Sequence, residues 1–183
     1  YAKKASHYSA EGISHVASIL IKIAETNLAI DELVLSKKNF QEALGLYKDV
    51  AILNKAYNKD TADIIVRLAE IDNYPRHKLI ESYEEALKLY QSSHNESDYI
   101  DSLSILALHK KLVSLYRLEN DNAHEESELK AIVQIAEMLS TWNPQLYSTT
   151  YVDALGDLQG YYNDHDDIES RLTVSTMAIE AYE

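Results

Sequence analysis

Side chains that could bind a metal are scattered through this sequence and are not spaced as in a metal site. There are seven histidines, and the best-spaced pair, His7 and His15, would lie about 12 Å apart along a helix. Zinc ligands must all lie within about 2.3 Å of the ion, so this pair does not predict a zinc site. Neither an HExxH segment nor a Cys/His pattern is found, and the sequence predicts no metal site and no cofactor.

The acidic segment 164–167, Asp-His-Asp-Asp, has the composition of a calcium loop or a catalytic cluster. An EF-hand loop requires a glycine at its sixth position and a glutamate at its twelfth, and neither is present in register. Acidic residues at the start of a helix are favoured by the helix dipole, so we interpret the segment as a turn between helices. Adjacent carboxylates such as Glu84 and Glu85 point about 100° apart on a helix and are not placed to share a proton.

Nothing in the sequence predicts catalysis. A Gly-rich phosphate loop and a GxSxG segment are both missing, and cysteine is absent, which excludes a thiolate nucleophile, a thiolate metal site and a disulfide framework. The lack of cysteine fits a reducing compartment, and we expect an intracellular, cytoplasmic protein that is not an enzyme.

The charge and hydropathy patterns limit the classes of partner. A formal net charge of −13 repels phosphates, so the bulk surface does not predict nucleic-acid binding. No apolar run approaches the roughly 20 residues of a membrane-spanning helix. The expected partner is another protein or a peptide, and the sequence leaves the oligomeric state open.

The elements that position these side chains are predicted to be helices. Only four glycines and two prolines interrupt 183 residues, of which 46% are apolar, and this composition favours long helices with a sizeable core. Segment 112–139 has the pattern of two amphipathic helices joined by a polar turn, and it recurs without a gap at 155–182. The matching pairs are Leu112/Leu155, Leu115/Leu158, Asn120/Asn163, Asp121/Asp164, Glu126/Glu169, Ser127/Ser170, Leu129/Leu172 and Glu137/Glu180.

The periodicity predicts a single helical-repeat domain over 1–183, made of helical hairpins at 13–56, 61–91, 98–140 and 148–183. The polar cluster 36–39 predicts the turn of the first hairpin, and Ser148 or Thr149 is the expected cap of the last one. The chain starts without methionine and stops inside a helical pattern, so we expect a fragment of a longer protein.

The recurring positions resemble the tetratricopeptide repeat (TPR) in its long, kinesin-light-chain-like variant. The third hairpin supplies Leu112, Val113 and Tyr116 on its first helix (helix A), Asn120-Asp121 at its turn and Leu129 on its second helix (helix B). The corresponding residues of the fourth hairpin are Leu155, Gly156, Asn163-Asp164 and Leu172. The resemblance implies an all-α superhelix of stacked antiparallel hairpins, with the A helices lining a concave surface.

The repeat geometry implies a function and a set of site residues. We expect a protein-interaction scaffold that binds an extended or helical peptide of mixed charge in the concave groove. The alternative is a regulatory module that senses a peptide or ligand and controls an attached output domain. Tyr47, Tyr83 and Tyr116 are predicted to be core residues, and of the adjacent Tyr161 and Tyr162 one should point inward and the other outward. The predicted groove residues are Glu70, Asn73, Lys110, Ser114, Arg117, Asp153, Asp157 and Tyr161.

Overall fold

The computed structural model describes residues 9–72, 74–93 and 99–181. Within these ranges the regular elements are helical, which confirms the predicted all-α fold. A short 3-10 turn, Lys55–Tyr57, lies between the second and third helices. The α-helices are α1 (Ala10–Ala29), α2 (Leu33–Leu53), α3 (Asn58–Ile71), α4 (Arg76–Ser93), α5 (Tyr99–Glu119), α6 (Asn122–Trp142), α7 (Pro144–Asp164) and α8 (Ile168–Glu180).

The chain forms two compact units, Tyr1–Asn95 and Glu96–Glu183. In each unit every described helix packs against the next one along the chain. The short connections between consecutive helices make them run antiparallel, so each unit is a pair of helical hairpins. The expectation of one single repeat domain stays a prediction.

The core of the first unit lies between α1, α2 and α3. Phe40 is fully buried on α2, and the small residues Ala17 and Ala24 of α1 are fully buried in the same cluster, because a large ring needs small residues opposite it to keep the helix axes about 8–10 Å apart. Tyr47 and Tyr83 are buried as predicted.

The first turn lies earlier in the chain than the sequence predicts. Residues 36–39 belong to α2, and the turn is at Asp31, whose φ is 62°. Residues 33–35 begin α2, and their apolar side chains are 47–81% exposed. Ser36 is buried, and Lys37 Nζ donates to Asp72 Oδ1 at 2.5 Å. The polar cluster 36–39 therefore does not form a turn. Ser36 packs in the interior, and Lys37 bonds to the end of α3.

The core of the second unit is one cluster with members from α5, α6, α7 and α8. Leu129, Leu139 and Leu155 in this cluster are at most 1% exposed. Full burial of one leucine side chain stabilises a fold by about 1.5–3 kcal/mol, so this shared cluster stabilises the packing of the two hairpins. Tyr116 is buried as predicted.

The last hairpin starts earlier than the sequence predicts. The stop around Asn143 is present, since α6 ends at Trp142, but α7 begins directly at Pro144. Proline is well suited to the first position of a helix because its fixed φ is helical and its missing N–H has no partner to lose. Ser148, an expected cap, lies inside α7, where its Oγ donates to Pro144 O at 2.6 Å.

No helix in the described ranges is both long enough and apolar enough to cross a membrane.

Candidate interaction surface

Three hairpins turn by the same backbone motif. Asp31, Asn120 and Asp166 each follow the first helix of a hairpin with φ of 62°, 57° and 54°, a left-handed conformation that Asn and Asp tolerate better than other non-glycine residues. The N–H of the next residue bonds to a carbonyl five residues back, at 2.8–3.0 Å in all three cases. This is the Schellman motif, and it defines equivalent positions in the three hairpins.

The residue after each left-handed position caps the following helix in the second unit. Asp121 Oδ1 accepts from His124 N at 3.2 Å, and Asp167 Oδ1 accepts from Ser170 N at 3.0 Å. These backbone hydrogen bonds hold the pKa of both carboxyl groups below its usual value. Residues 165–167 of the acidic segment are therefore a turn and a helix cap, as its sequence predicts, and Asp164 is the last residue of α7.

Side-chain pairs show the same register as the backbone. Arg117 Nε donates to Glu125 Oε1 at 2.8 Å in the third hairpin, and Arg171 Nη1 donates to Asn163 Oδ1 at 2.8 Å in the fourth. Asn163 lies 46 residues after Arg117, and Arg171 lies 46 residues after Glu125. The left-handed turn residues Asn120 and Asp166 are also 46 residues apart. The equivalent residues of α5 and α7 are thus 46 positions apart.

This spacing corrects the ungapped overlay, which placed equivalent residues 43 positions apart. Leu172 was paired with the buried Leu129, but it is 67% exposed. Gly156 was assigned to a packing position of helix A, but it is exposed on α7. The overlay aligned the Asn-Asp pairs by identity, whereas α7 continues helically through Asn163 and Asp164.

The 46-residue register brings the exposed sides of α5 and α7 into agreement. The positions Leu108/Ala154, Leu112/Leu158 and Tyr116/Tyr162 are buried in both helices. The intervening positions are exposed in both helices, and we call them the A-helix face. Its members are Ala107, Lys110, Ser114 and Arg117 on α5 and Asp153, Gly156, Gly160 and Asn163 on α7.

Four of the predicted site residues lie on the A-helix face: Lys110, Ser114, Arg117 and Asp153. Asp157 is exposed beside it on α7. Glu70 is exposed on α3 in the other unit, with Oε2 3.6 Å from Arg67 Nη1. Asn73 lies outside the described residues.

Tyr161 does not reach an open surface. Both Tyr161 and Tyr162 are buried, so the expectation that one of them points outward is wrong. Their hydroxyl groups donate to Asn122 O and to Glu126 Oε1, each at 2.9 Å, and both acceptors belong to α6. Burial raises the pKa of both phenols. Adjacent side chains on a helix point about 100° apart, and here both of the directions in which Tyr161 and Tyr162 point are covered by protein.

Sequence reasoning missed the exposure of Gly156 and Gly160. A Cβ atom added at either position would meet no atom within 4 Å, so close packing against the described residues does not explain either glycine. Glycine inside a helix costs about 1 kcal/mol relative to alanine. The signal was available as two glycines one helical turn apart in a chain with only four.

The A-helix face is positively charged on α5 and negatively charged on α7. On α5 it has the cations Lys110 and Arg117, and the Arg117 side chain is 62% exposed although it is paired with Glu125. On α7 the exposed acid Asp153 precedes Gly156, and the exposed acid Asp157 lies between Gly156 and Gly160. Opposite signs on the first helices of two successive hairpins favour a ligand that carries both charges.

The titratable pairs of the second unit form both between helices and within one helix. His109 and Glu128 are hydrogen-bonded between α5 and α6, and the histidine side chain is only 9% exposed. Glu126 also pairs with Lys130 at 2.7 Å, which holds its pKa below the usual value. Among the residues that the structure describes, no three His, Asp or Glu side chains are grouped closely enough to hold a metal ion.

Comparison with known proteins shows similarity at the level of the fold. No protein-family model and no curated protein matches the sequence. The chain is similar to the crystal structure of BtubC (BKLC) from P. vanneervenii, with a TM-score of 0.58 and 15% identity over 91% of this chain and 63% of that chain. The chain thus spans less than two thirds of that protein. The de novo designed helical repeat protein DHR64 gives a TM-score of only 0.32, with 14% identity over 94% of this chain and 77% of that one. The fold is that of a helical-repeat protein.

Proposed function

We propose that this chain is a non-enzymatic protein-interaction scaffold of the tetratricopeptide type, and that the A-helix face of its second unit binds a peptide or a helix of a partner protein. Helical-repeat folds commonly serve as protein-interaction scaffolds. The repeated hairpin turn and the 46-residue register support the repeat assignment. The partner-binding residues of the proposal are Lys110, Ser114, Asp153 and Asp157, with Gly156 and Gly160 added.

The observation that carries the proposal is the pair of exposed glycines on α7. Each costs the helix about 1 kcal/mol, and neither is needed to admit a neighbouring group of this chain. A glycine does allow a ligand backbone to approach the helix closely. The exposed acids Asp153 and Asp157 lie on either side of Gly156, so the ligand segment that contacts α7 should be basic.

Substitution of Lys110 tests the part of the A-helix face that lies on α5. Lys110 is exposed on α5, and its described contact is a backbone one, since its carbonyl accepts from Ser114 Oγ at 3.1 Å. Arg117 is less suitable, because a glutamate there would stand next to the buried Glu125 and would destabilise the hairpin by itself. A ligand that extends from α7 to α5 should therefore place acidic residues near Lys110.

The experiment begins with selection of random linear peptides, displayed on phage, against the 183-residue chain. The affinity of the selected peptides is then measured by fluorescence polarisation for the wild type, Lys110→Glu, Gly156→Ala and Gly160→Ala. Each substitution should weaken binding by about tenfold or more, the effect expected for one central contact. The selected peptides should carry basic and acidic residues in separate segments.

Gly45→Ala is the matched control. Gly45 lies inside α2, and an added Cβ atom would meet no atom within 4 Å there either. All three glycine variants should raise the free energy of unfolding by about 0.5–1 kcal/mol, but only those on α7 should weaken binding. Selected peptides that bind all variants equally would show that the A-helix face is not the binding site.

A further inference from the structure

The outward side of α1 carries an exposed aliphatic stripe. Val16, Ile19 and Ile23 follow one another at helical spacing and are 45–46% exposed. The common turn motif, at Asp31 and Asp166, makes them equivalent to residues 151, 154 and 158 of α7. We call the three residues of α1 the α1 stripe.

The equivalent side of α7 is covered by the preceding hairpin. Ala154 and Leu158 are at most 5% exposed in the core cluster, and Tyr151 packs against it. Tyr161 continues the same side of α7 and donates its hydroxyl to Asn122 O of α6. The α1 stripe therefore corresponds to the side on which α7 receives the second helix of another hairpin.

The outward side of α8 carries a second exposed aliphatic stripe. Ile168, Leu172 and Ile179 are 64–68% exposed, and we call them the α8 stripe. In the 46-residue register they correspond to Asn122, Glu126 and Val133 of α6.

All three of those positions of α6 lie at its contact with α7. Asn122 O and Glu126 Oε1 accept the hydroxyl groups of Tyr161 and Tyr162, and Val133 is buried in the shared core. The α8 stripe thus occupies the positions by which a second helix covers the following hairpin. In α8 all three positions are aliphatic, so they have no polar group that requires a bonding partner.

We propose that two copies of this chain associate head to tail, with the α8 stripe of one copy packed against the α1 stripe of the other. The occupant of each stripe is a second copy because the same chain carries both halves of the contact, and α6 and α7 pack together at the equivalent positions within one copy. The contact joins two different surfaces and repeats from copy to copy, so association continues beyond a dimer into open filaments or closed rings. This inference is independent of the peptide-binding proposal.

The charges predict how this association responds to salt. Each copy has a formal net charge of −13, and the resulting repulsion is screened as the ionic strength rises. The stripes themselves are aliphatic, so salt does not weaken the contact between them. Association should therefore strengthen from low to molar salt, which is opposite to the behaviour of an interface built on ion pairs.

The experiment is sedimentation velocity on the 183-residue chain from micromolar to millimolar concentration. The wild type should form dimers and longer species as the concentration rises. Ile19→Glu blocks the α1 stripe and Leu172→Glu blocks the α8 stripe, and each variant alone should remain monomeric, with self-association weakened about tenfold or more because a carboxylate would be buried without a partner.

Mixing the two blocked variants gives the decisive measurement. The Ile19→Glu chain retains its α8 stripe and the Leu172→Glu chain retains its α1 stripe, so the mixture should contain a one-to-one dimer and nothing larger. Val34→Glu is the matched control, because Val34 is 81% exposed on α2 and belongs to neither stripe. It should associate like the wild type, and circular dichroism should show the same helicity for all variants.

Several results would overturn the proposal. A wild type that stays monomeric at millimolar concentration and molar salt would assign the stripes to a partner of different sequence. If one blocked variant alone still forms dimers, two identical stripes pack against each other and the head-to-tail arrangement is wrong. A mixture of the blocked variants that contains only monomers would exclude the pairing of α1 with α8.

Discussion

Arg117 and Glu125 connect the two helices of the third hairpin, with Arg117 Nε 2.8 Å from Glu125 Oε1. The carboxylate is almost fully buried and the guanidinium is largely exposed, at 6% and 62% side-chain exposure. The same two positions in the next hairpin hold Asn163 and Arg171, which are also bonded at 2.8 Å, with the cation on the other helix. The two hairpins thus form a hydrogen bond between the same two positions, but the side chains at those positions differ.

Removal of the arginine should destabilise the second unit. Arg117→Ala leaves Glu125 buried without this donor, and we expect the free energy of unfolding to fall by about 1–2 kcal/mol. Lys110→Ala, an exposed cation of the same helix, should change it by less than about 0.5 kcal/mol. Urea denaturation followed by circular dichroism measures both variants, and equal effects would show that the pair does not stabilise the hairpin.

The 46-residue register predicts that two leucines, which the ungapped 43-residue overlay treats as equivalent, differ in how much their replacement by alanine lowers the free energy of unfolding. Leu129→Ala removes a side chain that is 1% exposed and should cost about 2–5 kcal/mol. Leu172→Ala changes a side chain that is 67% exposed and should cost less than about 0.5 kcal/mol. The comparison is made by urea denaturation, and a large loss in both variants would favour the 43-residue overlay.

The caps at Asp121 and Asp167 predict sensitivity to acid. Their folded-state pKa values lie below the ordinary 3.8 because each carboxylate accepts a backbone N–H. A lowered carboxyl pKa contributes stability that is present above the unfolded pKa and is lost as the pH falls through the folded one.

Asp121→Ala and Asp167→Ala should therefore lower the melting temperature at neutral pH, and the difference from the wild type should shrink as the pH falls below about 4. Asparagine at the same positions keeps a capping oxygen without the charge and is the control. Melting curves across this pH range make the test, and a deficit that is independent of pH would show that the carboxylate charge contributes nothing.

Tyr47 predicts sensitivity to alkali. Burial, followed by the nearby charge of Asp60, raises the pKa of Tyr47 from 10.0 to about 12. A raised pKa contributes stability that is complete below the unfolded value and is lost as the pH rises through the folded value. The loss should therefore fall between pH 10 and about 12.

Tyr47→Phe removes the ionisable group and should reduce the alkaline loss of stability, while the two proteins stay close at neutral pH. Urea denaturation at a series of pH values measures the difference, and the ultraviolet absorbance of tyrosinate reports the ionisation. Parallel curves for the wild type and the variant would contradict the assignment to Tyr47.

Of the candidate site, the resemblance to the tetratricopeptide repeat implied Lys110, Ser114, Arg117 and Asp153 as groove residues, and the structure places these four on the exposed sides of α5 and α7. The sequence did not predict the role of the glycines or the burial of Tyr161. Whether an exposed glycine or a tyrosine faces a neighbouring helix depends on where the next hairpin packs, and helical periodicity carries no such information. The identity of a partner is likewise not determined by helix patterns.

The sequence by itself determined the helical class, the burial of Tyr47, Tyr83 and Tyr116, and the acidic turn at 164–167, since these follow from local periodicity, composition and capping chemistry. Only the tertiary structure decided that 36–39 belongs to a helix, that α5 and α7 correspond at 46 residues, and that Leu172 and Gly156 face outward. The physical reason is that the last turn of a helix can end at several neighbouring polar residues at similar cost. Contacts with the other helix, such as that between Arg171 and Asn163, select one of them.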